Sequence, residues 1–252
     1  MAAAATFGAA SLRRPITSDQ TAATEGPPIL RVMADTEMRE ARRGGYESSR
    51  PDVQALVPPL ARRILDLGCA SGVLGAALKA RQGAEVVGIE LSPSYAADAE
   101  RVLDRVLQGD LAAALADPPA DLGRFDCVVA ADVLEHLVDP WTALRHATRL
   151  LDPGGTVVVS LPNVQYALVP LTLMRRGRWP REPVGLFDAT HLRWFTLLDA
   201  RELLEGAGLE VVHVDPRLWF GGWQLRVARA LLRTPLAPYL AAQYVLAGRL
   251  PA

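Results

Sequence analysis

Residues 63–72, Arg-Ile-Leu-Asp-Leu-Gly-Cys-Ala-Ser-Gly, place an apolar strand ending in Asp66 before a loop punctuated by Gly68 and Gly72. An apolar helical pattern follows at Val73, Leu74, Ala77 and Leu78. Strand, glycine loop and helix N-terminus in this order form a backbone cradle for a nucleotide-like ligand. Glycine lets the main chain approach closely, and the first helical N–H groups are free to point at the ligand. A second strand, Val86 to Ile89, ends in Glu90, 18 residues after Gly72. A carboxylate there suits the paired hydroxyls of a ribose. A dinucleotide site shares these parts, but its G-x-G-x-x-G fingerprint seats a pyrophosphate on the helix N-terminus. Here the glycines fall at Gly68, Gly72 and Gly75, with Ala70 in the middle position. Asp66 would repel phosphates there. The pattern fits a ligand with an amino group and no phosphate. Ala70 is expected to keep a negative φ, where its methyl group is tolerated.

Six segments then succeed one another: Asp66-Leu67-Gly68-Cys69-Ala70-Ser71-Gly72, Gly88-Ile89-Glu90, Gly109-Asp110-Leu111, Phe125-Asp126, Glu135-His136 and Leu151-Asp152-Pro153-Gly154-Gly155. The series resembles the ordered motifs of class I S-adenosylmethionine-dependent methyltransferases, over residues 46–250. That resemblance implies S-adenosylmethionine as cofactor and an α/β, Rossmann-like seven-stranded sheet. Its strand order would be 3-2-1-4-5-7-6, with the last strand antiparallel and helices on both faces. It also implies the site. The donor carboxylate would meet N–H groups of the loop formed by Gly68, Cys69, Ala70 and Gly72 and of the following helix. The donor amino group would meet loop carbonyls, with Asp66 holding the loop directly or through water. Glu90 would accept the ribose hydroxyls and Asp110 the adenine amino group. Leu91 and Leu111 would sandwich the ring, and Ala131 would complete the wall. Tyr46 and Arg50, just upstream, either cover the donor or begin a surface helix.

Methyl transfer is an in-line displacement, so the protein must align an acceptor and take its proton where necessary. His136 and His191 are the candidate catalytic residues. Asp132-Val133-Leu134-Glu135-His136 resembles the E-x-x-E-H segment of ubiquinone-biosynthesis O-methyltransferases, associated there with a divalent cation. Glu-His at this place also suits a histidine packed beside the donor, and no metal is expected. Phe187 to Thr196 resembles the D-x-x-H-L-R-x-F-T signature of methyltransferase domains acting on small molecules or glycans. His191 there either deprotonates a hydroxyl, oriented by Asp188, or orders a lid. The 163–195 insertion is expected to form the acceptor pocket, with Tyr166, Trp179, Phe187, Trp194 and Phe195 closing over a small acceptor. Arg175, Arg176, Arg178 and Arg181 either grip an acidic or phosphorylated acceptor or form a solvated helix end. Ser160 to Asn163 and Gly177 to Pro180 also resemble the methionine biosynthesis protein W family. That likeness leaves open a donor-binding partner subunit with little methyltransferase activity of its own.

The elements that must position these groups read as alternating strands and helices. Strands are expected near 63–67, 85–90, 105–108, 125–130, 156–161, 209–214 and 243–248. The fourth is almost wholly apolar, as for a parallel strand buried on both faces. Ser92-Pro93 and Asp139-Pro140 signal helix starts, and Thr196 with Asp199 resembles a capping box. Val53, Leu56 and Leu60 give an apolar face to a leading helix. Residues 1–45 read as a weakly ordered tail with a short helix near 30–43, and 46–252 as the methyltransferase domain with inserts near 162–195 and 216–240.

The chain has 252 residues, half of them hydrophobic, and a net charge of −1, so no global field favours nucleic acid. Lys79 is its only lysine. Cys69 and Cys127 suggest no disulfide framework, and a reducing cytoplasm is expected. The uncharged run from Pro153 to Met174 contains Gly154, Gly155, Pro162, Asn163 and Gln165, which suit a strand plus loop better than a membrane span. The expected partner is a small-molecule or glycan acceptor, with homodimerisation left open.

Overall fold

A computed structural model of the chain describes Arg39 and residues 47–251. The expected tail, its short helix (Arg39 excepted, which is helical) and Tyr46 lie outside the described residues. Seven strands, β1 (Arg63–Leu67), β2 (Glu85–Glu90), β3 (Arg105–Gln108), β4 (Phe125–Ala131), β5 (Leu151–Pro162), β6 (Glu210–Arg217) and β7 (Gln243–Arg249), form one sheet. Its order is β3-β2-β1-β4-β5-β7-β6, and β7 runs antiparallel to both neighbours. This is the order implied by the resemblance.

Period-two alternation explains why the central strands are apolar throughout. Leu65 and Val128 enter one core with Leu134, Leu144 and Leu203. Their chain neighbours Ile64 and Val129 enter the core on the opposite face with Val53, Leu78 and Val86. All four are fully buried, and each contributes roughly 1.5–3 kcal/mol relative to exposure.

The helices are α1 (Pro51–Leu56), α2 (Val73–Gln82), α3 (Pro93–Ala99), α4 (Leu111–Ala116), α5 (Pro140–Arg149), α6 (Leu168–Arg176), α7 (Leu197–Glu205), α8 (Gly222–Leu231) and α9 (Ala237–Leu240). Three start where the sequence signals them. Ser92 Oγ accepts from Tyr95 N at 3.4 Å, Asp139 Oδ1 from Thr142 N at 2.9 Å, and Thr196 with Asp199 closes a full capping box. Other boundaries differ. α1 stops at Leu56, Val57 takes the buried position, and Leu60 is 80% exposed rather than part of an apolar face. β5 begins at Leu151, because Phe125 pairs with Leu151 ahead of a register shift. α4, α6, α8 and α9 are additional elements, and α6 replaces part of the loop expected after β5.

The parallel strands bring the segments after β1, β2, β3 and β4 to one edge. Leu67 lies opposite Ile89 and Ala130, and Glu90 opposite Gln108. One contact fixes how closely β2 and the β1 loop meet. A Cβ added at Gly88 would lie 2.4 Å from Cys69 Sγ and 2.9 Å from Leu103 Cδ1. Gly88→Ala should therefore destabilise the fold by about 1–3 kcal/mol through overpacking. In denaturant titrations, Cys69→Ala should recover part of that loss in the double variant. Additive effects would show that the two positions do not meet.

Candidate active site

The loop after β1 turns through left-handed backbone at Gly68 (φ 68°), Ala70 (φ 46°) and Gly72 (φ 78°). Ala70 thus departs from the negative φ expected of it, at a cost of roughly 1–2 kcal/mol for a residue with a Cβ. Two features hold the loop in this shape. Gly68 and Cys69 donate to Ile89 O at 2.8 and 3.1 Å, and Gly72 N donates to Cys69 O at 2.9 Å. The Glu90 carboxylate accepts from Ala70 N at 2.9 Å and from Ser92 N at 2.8 Å. Glu90 therefore ties the β1 loop to the start of α3, besides standing where a ribose was expected. With these N–H groups engaged, Ser71 N–H and the first turn of α2 are the donors the loop presents. This is narrower than the whole-loop cradle anticipated.

Asp66 is buried beneath the loop, and its Oδ2 has no hydrogen-bond partner among the described residues. It does not bond the loop directly, whereas Glu90 does. Burial, reinforced by the nearby Glu90 charge, raises the Asp66 carboxyl to about 7. Cys69 is buried beside it, and burial pushes its thiol well above the ordinary value. Asp110 caps α4, its Oδ1 accepting from Ala113 N at 2.9 Å. Leu91 stands 68% exposed at the edge of the site, whereas Leu111 packs mainly into the core. Ala131 ends β4, half-buried.

The segment after β4 leans directly on the loop, since a Cβ at Gly68 would lie 2.7 Å from Val133 Cγ2. Asp132 (φ 53°) does not join the cluster formed by Glu135 and His136. Its carboxylate takes Arg50, Gln243 and, at 2.7 Å, Ser160 Oγ. Arg50, the N-cap residue of α1, also pairs with Asp52 at 3.1 Å. The groups that converge are Glu135, His136 and His191, whose ligand-capable atoms lie within 4.8 Å of one another. His191 therefore takes the place that the sequence suggested for Asp132. The two imidazoles meet edge to face at 4.8 Å, and His191 Nε2 lies 3.9 Å from Glu135 Oε1. Burial, with Asp132 second, holds the Glu135 carboxyl well above the usual range.

Asp188 has a role beyond the one expected. Its Oδ1 accepts from Thr190 N at 2.8 Å and from Thr190 Oγ1 at 2.7 Å. Thr190 Oγ1 in turn lies 3.0 Å from His136 Nδ1. A hydroxyl has one proton, and the carboxylate only accepts, so His136 Nδ1 must donate to Thr190. Thr190 O, 3.3 Å from the same nitrogen, favours that tautomer as well. His136 Nε2 then carries the ring's lone pair. Asp188 and Thr190 orient His136, the histidine that sequence reading did not pair with Asp188. The signal was the Asp-x-Thr spacing, an Asx-type turn that also aims a hydroxyl outward.

Aromatic side chains of the insertion divide between roles. Trp179 meets Phe187 and Trp194 with ring centroids 5.3 and 5.5 Å apart. Tyr166 faces Trp219 and Phe220, and Phe195 is 2% exposed in the main core. Arg175, Arg176, Arg178 and Arg181 are exposed at and beyond the end of α6.

Comparison with known proteins bears on this geometry. A family model described as a methyltransferase domain matches residues 38–214. A ubiquinone biosynthesis O-methyltransferase of Azorhizobium caulinodans is 38% identical over 169 residues, covering 64% of this chain and 63% of that protein. One of the same name from Alkalilimnicola ehrlichii is 40% identical over 108 residues, 40% of this chain and 42% of that protein. The matches thus span roughly two fifths to three fifths of these relatives' length. Among solved structures, an S-adenosylmethionine-dependent methyltransferase from Archaeoglobus fulgidus superposes with a TM-score of 0.59 at 16% identity, covering 85% of this chain and 97% of that one. The cyclase SpnF superposes with a TM-score of 0.57 at 20% identity, covering 86% and 93%. These two likenesses are of fold.

The buried carboxyls predict a pH dependence of stability. Asp66 keeps its proton in the folded chain up to about pH 7, against an ordinary value of 3.8. Its contribution is therefore fully present below the unfolded value and is lost as pH rises through the folded one, with Glu135 acting in the same direction. Melting temperature should fall between about pH 4 and pH 7, and Asp66→Asn should flatten that fall. A wild-type melting temperature that rises across this window would contradict the assignment.

Proposed function

The chain belongs to the class I S-adenosylmethionine-dependent methyltransferases, and from that premise we propose that it methylates a hydroxyl oxygen of a small-molecule or glycan acceptor, with His136 as general base. The observation that carries the choice of base is the Asp188–Thr190–His136 chain, which fixes the Nδ1–H tautomer. The relatives named O-methyltransferases support an oxygen acceptor.

The residues present fit the donor. Glu90 accepts one backbone N–H on each oxygen, and its carboxylate stands at the end of β2 where ribose hydroxyls would be met. Asp110 has its second oxygen for the adenine amino group, and Leu91 offers an exposed apolar face to the ring. Ser71 N–H and the N-terminus of α2 suit the donor carboxylate. When bound, S-adenosylmethionine supplies a methyl carbon already activated by its sulfonium.

The protein's own part is alignment and proton removal. Val133 packs against Gly68, so the segment bearing His136 is registered against the donor loop. His136 Nε2 takes the acceptor's proton, and the resulting imidazolium is steadied through Thr190 by the Asp188 carboxylate. Burial of Glu135 favours its neutral form and so limits competing negative charge beside the base. His191 packs edge-on against the base and narrows its rotation.

His136→Ala should lower kcat by about a hundredfold or more with donor affinity nearly unchanged. Thr190→Val should lower kcat less and move the acidic limb of the pH–rate profile, while Thr190→Ser restores it. Chelation should leave turnover intact. Turnover lost in EDTA and restored by magnesium would replace the base with a cation at Glu135, His136 and His191. Tight donor binding without turnover on any hydroxyl acceptor would favour a non-catalytic partner subunit.

A further inference from the structure

The two insertions differ in charge from the rest of the chain. Residues 162–195 and 216–240 contain nine of the 27 basic residues, all arginine, and two of the 28 acidic ones, Glu182 and Asp188. The remainder of a nearly neutral chain is therefore strongly acidic, and the positive charge is gathered on the insertions. Both insertions belong to one surface. Ala167 N donates to Tyr239 O at 3.0 Å, and Asn163 Nδ2 donates to Pro238 O and Ala241 O at 2.6 and 2.7 Å. Tyr166 packs on Trp219 with centroids 6.4 Å apart.

Large apolar side chains stand outward on the same surface. Met174 is 83% and Trp223 72% exposed, accompanied by Leu171, Trp219, Val227 and Leu236. On α8, Trp223 and Val227 share a face at i, i+4, and Arg226 and Arg229 are exposed beside them. Among the described residues no helix is long and apolar enough to cross a membrane.

We propose that this surface, formed by α6, α8 and α9, docks the protein on an anionic lipid bilayer, with Met174 and Trp223 entering the headgroup layer and the arginines binding lipid phosphates. Short helices with exposed Trp and Leu or Met flanked by arginine suit a plane that is apolar below and anionic above. A nucleic-acid backbone would satisfy the arginines but gives Met174 and Val227 nothing to bury against. A two-fold dimer through this face would set the arginine-rich surface against its own copy, with like charges opposed.

The test is co-sedimentation of the full chain with vesicles of phosphatidylcholine alone or mixed equally with phosphatidylglycerol, read with tryptophan fluorescence. Binding should require phosphatidylglycerol, weaken with salt, and shift emission to the blue. Arg226→Gln with Arg229→Gln should weaken partition about thirtyfold. Trp223→Ser with Met174→Ser should reduce both binding and the blue shift, with the melting temperature unchanged in each variant. Equal binding to both vesicles, no binding, or partition unmoved by these changes would overturn the proposal. A dimer in sedimentation equilibrium that the same substitutions dissolve would also overturn it, assigning the face to a second copy. None of these readouts depends on methyl transfer.

Discussion

The site depends on one carboxylate that faces two backbone segments. Glu90 accepts an N–H from Ala70, in the loop after β1, and another from Ser92, at the entrance to α3. A strand end can splay by several ångströms, but two charge-assisted bonds from opposite sides fix both loops to the tip of β2. The left-handed turn at Ala70 is unfavourable for alanine, and the bond to Glu90 is what offsets it. Because Val133 rests on Gly68, the segment carrying His136 inherits the same frame. A residue that the sequence marked for ligand contact thus also organises the protein before any ligand arrives.

Much of the architecture was legible because central parallel strands leave few alternatives. Ile64 and Leu65 must enter opposite cores, and only a doubly covered sheet accommodates that. Caps at Ser92, Asp139 and Thr196 were legible because their mechanism is local. Peripheral elements were not. α6 buries only Val169 and α8 only Ala228, and both carry large apolar residues outward, so no core-facing stripe announces them in the sequence. Leu60 seemed to continue a helical face, yet the chain turns after Leu56 and Val57 fills the core.

The chemical site was legible in its members and not in its pairings. His191 lies 55 residues after His136 in the sequence, and only the fold brings it within 4.8 Å of Glu135 and His136. Asp188 lies three positions before His191, which invites pairing them, and the turn also directs its carboxylate to Thr190 and from there to His136. Asp132 belongs by sequence to the Glu135–His136 segment, yet an arginine 82 residues upstream claims it. Such choices among polar partners are made by loop geometry, which has no period to read.

The central claim is that the Glu90-braced loop is a preorganised seat for the methyl donor. Titration calorimetry of S-adenosylhomocysteine into the wild-type chain and into Glu90→Gln tests it most directly. One molecule should bind per chain, and the variant should bind about ten- to a hundredfold more weakly, since an amide cannot accept both N–H groups as the carboxylate does. A folded wild-type chain that gives no heat of binding, or a variant that binds as tightly as the wild type, would contradict the account.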